Sequence, residues 1–172
     1  MIICLIGEPA SGKTTLMKSI MLELGDMAFE SKPFSYHYND KFIVLGKYDT
    51  GVFQGTDKLS MAVQPKAIEF VKLHRDKIIL LEGDRLGNLS FFIEIKKTHE
   101  LHIFCIVADE KIKESRHIAR GDKQSPKFKK SKRTKIANIL KAENCLALEN
   151  NDTEQAAFIQ QTIFNKINGV LT

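Results

Sequence analysis

The chain opens on six apolar residues, Met1 to Ile6, with no polar interruption. Such a run suits a strand buried on both faces, as in a parallel sheet, rather than the alternating strand of a half-solvated one. Similar runs recur at 42–46, 77–82, 101–107 and 145–149. Between them the period changes. Leu16, Met17, Ile20, Met21 and Leu24 fall at helical intervals, so 14–24 is predicted as an amphipathic helix. Further helical patterns lie at about 60–74, 89–98, 110–119, 132–142 and 153–167. Ser60, Asn88, Asp109 and Asp152 stand at four of the starts, each offering a side-chain oxygen to free helix N–H groups. Gly169 follows the last pattern, where a glycine commonly ends a helix. Strands alternating with helices predict an α/β chain of three layers, α/β/α, around a five-stranded parallel sheet. A chain of 172 residues suits one domain. Ligands of such sheets bind at the C-terminal ends of the strands, so the residues just after each apolar run are the candidates for chemistry.

The first of these junctions is the most specific. Gly7-Glu8-Pro9-Ala10-Ser11-Gly12-Lys13-Thr14 fits G-x-x-x-x-G-K-[ST], and it lies between a predicted strand and a predicted helix, as a phosphate-binding loop must. Gly7 and Gly12 let backbone N–H groups turn toward phosphate oxygens, and the helix start at Thr14-Thr15 adds positive potential. Lys13 is expected to reach the β- and γ-phosphates of ATP, and the Thr14 hydroxyl to ligate Mg²⁺.

The strand at 77–82 ends in Glu82-Gly83-Asp84-Arg85. Apolar residues ending in an acid form the Walker B pattern, and by count Glu82 holds the metal ion, directly or through water. Asp84 then meets the acceptor as base or metal-water ligand, and Arg85 offers a planar fork to a phosphate. The loop after 42–46 carries Tyr48, Asp49, Phe53 and Asp57 together with two glycines, Gly51 and Gly55. Loops of this kind build acceptor sites, with Asp57 or Asp49 gripping a hydroxyl or base edge and Tyr48 or Phe53 stacking on a ring. After 101–107, Asp109 opens a helix with Arg116 and Arg120 on one face. The tract from Gly121 to Arg133 reads as an excursion over the site, a lid that excludes water and supplies arginines. Asn150 and Asn151, after the last strand, are placed to edge an adenine pocket.

Composition changes the picture in one place. Residues 111–135 hold eleven Lys or Arg against Glu114 and Asp122, a net +9, so a chain of +5 overall has a body of −4. A basic segment of that density attracts polyanions, triphosphate or nucleic-acid backbone alike, so DNA is an expected partner. Cys4, Cys105 and Cys145 sit in apolar runs without a C-x-x-C pair and read as reduced thiols. The five histidines lack metal-ligand spacing. Met1 to Ile6 is short for a signal peptide, and no apolar stretch reaches the ~20 residues of a membrane span, so a cytoplasmic protein is expected. Other phosphate-loop classes fit poorly. Asn165-Lys166 continues as Ile167-Asn168 rather than the N-K-x-D of a GTPase, and no L-S-G-G-Q signature occurs.

Taken together, the loop 7–14, Asp84-Arg85 and the Arg116-x-x-x-Arg120 pair resemble the P-loop kinases of the thymidylate-kinase and nucleoside-monophosphate-kinase group. The segments Leu45-Gly46-Lys47-Tyr48, Gly55-Thr56-Asp57-x-Leu59-Ser60-Met61 and Glu82-Gly83-Asp84-Arg85-Leu86 look most like a phage-encoded branch that phosphorylates 5-hydroxymethyluracil within DNA. The resemblance implies a P-loop kinase fold using ATP and Mg²⁺, in a host cytoplasm. Asp84 would serve the acceptor and Arg116 and Arg120 would clamp the moving phosphoryl group. The chain departs from typical thymidylate kinases in its Glu8-Pro9-Ala10-Ser11 loop and in a longer, more basic lid. A free deoxynucleoside monophosphate kinase and a non-catalytic nucleotide-binding module remain the alternatives.

Overall fold

The computed structural model describes residues 1–50, 54–122 and 124–171. The five apolar runs form strands β1 (Ile2–Ile6), β4 (Phe42–Leu45), β5 (Ile78–Glu82), β6 (Leu101–Val107) and β7 (Cys145–Glu149). They pair in parallel in the order β4-β5-β1-β6-β7. The expected count of five is nevertheless corrected to seven. β2 (Ala28–Glu30) and β3 (Tyr36–Tyr38) extend the β4 edge in antiparallel register. Each is three residues long and largely solvent-facing, so neither leaves an apolar run to be read.

Alternate residues of β1 face opposite layers, as the pleat requires. Ile2, Cys4 and Ile6 join one core and Ile3 and Leu5 the other. The first core is covered by α2 (Gln64–Leu73), α3 (Leu89–Ile95) and Ile139 of α5 (Pro126–Ala142). The second is covered by α1 (Lys13–Glu23) and by Ile159, Ile163 and Ile167 of α6 (Thr153–Leu171). The three-layer arrangement is therefore present, with α4 (Glu110–Ala119) following β6.

Helix ends differ from the pattern in three places. α2 starts at Gln64, with Pro65 in its first turn, and Ser60 instead accepts from Ala62 N–H in the preceding turn. α6 runs through Gly169 to Leu171. The tract read as an excursion from Gly121 is helical from Pro126, because Ser125 accepts from Phe128 N–H at 3.2 Å and proline suits a first turn. The pattern at 132–142 marked the later part of this helix; the run of lysines before it has no apolar period, so the sequence hid the first part. Asn88 and Asp152 cap as expected, whereas Asp109 makes no side-chain cap. Among the described residues no helix is long and apolar enough to cross a membrane.

Candidate active site

The C-terminal ends of β1, β4, β5, β6 and β7 lie along one edge of the sheet, which brings the loops after them together. Gly7 takes φ 149°, Ala10 62° and Gly12 94°, the last opening α1. A side chain at Gly7 would overlap the Ile106 carbonyl, and one at Gly12 would overlap the Asn150 amide. Both glycines are thus required by close packing as well as by backbone shape. The loop is held from below: Asn150 Nδ2 donates to Ser11 O at 2.8 Å, and Arg116 donates to Ala10 O at 3.2 Å and Asn150 O at 2.9 Å. Lys13 Nζ folds back onto Gly7 O and Glu8 O, both at 2.8 Å. Burial pushes its ammonium below the ordinary lysine range, against the pull of Glu82, Asp84 and Asp57. A triphosphate would supply the negative charge this buried cation lacks.

Thr14 Oγ1 donates to Glu82 Oε1 at 3.1 Å, so the two expected metal ligands share one corner. Glu82 is 2% exposed. Burial raises its carboxyl to about 7, partly offset by Lys13 and by the Thr14 hydrogen bond. Gly55 packs flat against it, since a Cβ there would overlap the carboxylate. Two hard oxygen donors fit Mg²⁺, which keeps most of its shell as water and phosphate oxygen. Among the described residues no cluster of three or more His, Cys, Asp or Glu is placed to bind a metal ion alone, so phosphate oxygens would complete the shell.

The side expected to meet an acceptor is built by the loops after β4 and β5. Asp57 Oδ1 accepts from Asp84 N–H at 2.6 Å and Arg85 N–H at 3.3 Å, fixing the turn that carries both residues. Thr56 Oγ1 donates to Glu82 O at 2.9 Å and ties the same two loops. Asp49 is taken up by Lys58 at 2.5 Å and Lys47 at 3.3 Å. Tyr48 packs on the second core, its hydroxyl buried without a partner among the described residues. Its phenol is raised by burial first, then by Glu82 and Asp57, so it lies beneath the site rather than in it. Phe53 lies outside the described residues. Arg85 Nε donates to Leu59 O at 3.3 Å.

The basic segment expected to form a lid meets both halves. Lys132 Nζ pairs with Asp84 Oδ2, and Lys135 Nζ donates to Asp84 O at 2.9 Å and lies 3.5 Å from Oδ1. Burial would raise the Asp84 carboxyl, but the Lys132 hydrogen bond and the charges of Lys135, Lys132 and Lys13 outweigh it and hold the group below the usual range. On the other side Glu8 Oε2 pairs with Arg133 at 2.9 Å and with Lys113 at 3.1 Å. Among the described residues, four of the segment's Lys and Arg are therefore engaged with acids of the body. The sequence missed these lysines as individuals; Lys132 and Lys135 are spaced as one helical face, but nothing nearby in sequence marks their partner.

The cleft between these loops is about 530 Å³. Gly7, Pro9, Ala10, Lys13 and Thr14 line it on one side, and Asp57, Glu82, Asp84 and Arg85 on the other. Arg120, Asp122, Gln124, Phe128 and Lys132 close it above. Of the described residues singled out from sequence, Glu8, Ser11, Gly12, Thr15, Tyr48, Asp49, Arg116, Asn150 and Asn151 stay outside this lining. Ser11 and Gly12 are buried within the loop, Thr15 is exposed on α1, and Arg116 braces the loop's backbone. The arrangement can hold a triphosphate beside a second reactant.

No protein-family model matches the chain, and no curated protein does. Among solved structures it is similar to a gluconokinase from Sinorhizobium meliloti 1021, with 11% identity, 95% of each chain covered and a TM-score of 0.46.

Proposed function

We propose that the chain is an ATP-dependent P-loop kinase that moves the γ-phosphoryl group of ATP to a hydroxyl acceptor. The observation that carries this reading is a single cavity with a phosphate loop on one wall, Asp57, Asp84 and Arg85 on the other, and a cationic roof. A nucleotide-binding module without transfer has no use for the second wall. In the reaction the acceptor oxygen bonds to the γ-phosphorus, the bond to the β,γ-bridging oxygen breaks, and ADP departs with its electron pair. The acceptor proton passes to a carboxylate of the cavity or to water. Mg²⁺ held by Thr14 and Glu82 would neutralise phosphate charge. Lys13 leaves the loop carbonyls for the β- and γ-phosphates, and Arg120 balances charge from above.

For the acceptor we favour a pyrimidine hydroxyl, the hydroxymethyl group of 5-hydroxymethyluracil in DNA. The resemblance of residues 45–61 and 82–86 suggests it. The lysines left unpaired on α5 support it: Lys127 and Lys130 are exposed and Lys129 half-buried, outside the cavity. A base in duplex DNA would have to be flipped into the cavity, at a cost of a few kcal/mol that backbone contacts offset. The second reading, a free deoxynucleoside monophosphate, is favoured by Arg85 and Arg120. Both line the cavity, and neither forms an ion pair among the described residues.

Incubation of hydroxymethyluracil-containing DNA with γ-labelled ATP and Mg²⁺ tests the choice. Label on DNA, abolished in Lys13→Ala, is expected. Label on a free monophosphate instead moves the acceptor to the second reading, and absence of label on both removes the kinase reading.

A further inference from the structure

We infer that Lys132 joins Lys13 as a cation that contacts the γ-phosphoryl group, moving to it from Asp84, and that Arg116 does not contact it. The inference rests on the kinase reading above. Arg116 is committed elsewhere: both its terminal nitrogens hold main-chain carbonyls, Ala10 O and Asn150 O, and it does not line the cavity. Lys132 does line it, with Lys13 and Thr14.

The two lysines on Asp84 are not equivalent. Lys135 reaches the Asp84 carbonyl as well as Oδ1 and lies outside the cavity lining, so it can hold Asp84 alone. Lys132 touches only Oδ2, with its side chain 21% exposed, and is free to exchange partners without releasing the turn. Its backbone is fixed relative to the phosphate loop. Arg133, the next residue, is paired to Glu8 of that loop, while Ile136 and Ile139 anchor the following turn in the core. Consecutive side chains of one helix thus bridge the loops after β1 and β5 across the site. Phe128, one turn earlier, covers the ammonium at 4.8 Å and also faces the cavity. A cation–π contact of this kind keeps a charged group placed while excluding water. A triphosphate bound in the loop would bring a multiply charged anion against an ammonium whose present partner carries one negative charge, already shared with Lys135. Coulomb attraction then favours the phosphate oxygens.

The test compares nucleotides that differ only in the γ-phosphate. Binding of ADP and of the β,γ-imido analogue of ATP, each with Mg²⁺, is measured by calorimetry on wild type, Lys132→Met and Lys132→Arg. The expected result is roughly tenfold weaker binding of the imido analogue to Lys132→Met, ADP binding within about twofold of wild type, and recovery of most of the loss by Lys132→Arg. Equal weakening of both nucleotides means a structural role, and unchanged binding of both means no contact; either overturns the assignment. Wild-type protein that binds neither nucleotide overturns the kinase reading, and this inference with it.

Discussion

Replacing Glu82 by glutamine should make the ligand-free protein more stable at alkaline pH while impairing its function. The carboxyl is 2% exposed and sits at about 7 instead of 4.5, burial being the dominant cause. Between those two values the folded chain binds the proton that the unfolded chain has released, so stability falls as pH rises through this window. At about 1.4 kcal/mol per unit, the full loss is about 3 kcal/mol, complete somewhat above pH 7. Glutamine keeps an oxygen for the Thr14 hydroxyl and removes the charge. Urea unfolding followed by circular dichroism, with EDTA present, measures both proteins from pH 4.5 to 8.5. His37, His99 and His102 are held below their ordinary values by burial, so they act in the opposite direction as pH rises. They are common to both proteins, and the informative quantity is the difference between variant and wild type. That difference should be near zero at pH 4.5 and grow to about 3 kcal/mol in favour of Glu82→Gln at pH 8. A difference that stays flat with pH would refute the reasoning that an uncompensated buried charge sits at this corner. If Glu82 holds the metal ion as proposed, the same variant should also lose Mg²⁺-dependent strengthening of nucleotide binding, stability being gained by deleting a functional group.

Three further outcomes follow from the contacts around this corner. Arg116→Ala should destabilise the fold by about 1–3 kcal/mol, by leaving the Ala10 and Asn150 carbonyls short of a donor, and should weaken ADP and ATP alike; selective loss of ATP would contradict its bracing role. Asp57→Ala should lower transfer by tenfold or more with ADP affinity held within about threefold, because it releases the N–H groups of Asp84 and Arg85; stopped-assay turnover alongside ADP titration separates the two effects. If DNA binds along the first turns of α5, Lys127, Lys129 and Lys130 are the cations there without an ion pair among the described residues, so the log–log salt dependence of affinity should have a slope of about −3, at ~0.9 per phosphate. A slope near −6, at ~0.9 per phosphate, would mean that the four residues paired to Glu8 and Asp84 are also released to DNA, and a flat dependence would remove DNA as a partner.

The strands, their parallel pairing and the phosphate loop were legible because each depends on neighbours in sequence. A doubly buried strand is written as an apolar run, and Gly7 and Gly12 announce a backbone that only glycine adopts at that close approach. Capping by Asn88 and Asp152 is equally local. The β2–β3 edge was not legible, because three-residue strands facing solvent carry no period. Nor was the first part of α5, where a capping serine and a proline outweigh the disorder that a lysine run suggests.

What the sequence could not decide was which charges are available. It determined that Lys13, Thr14, Glu82, Asp84 and Arg85 would gather at the strand ends, since strand order places them there. Only the tertiary structure decided that Asp84 is held by Lys132 and Lys135, that Glu8 takes Arg133 and Lys113, and that Arg116 braces the loop from below. The reason is physical. A side chain's chemistry is set by its type, but its freedom is set by the groups within a few ångströms, and here those groups lie 48 to 125 residues away along the chain.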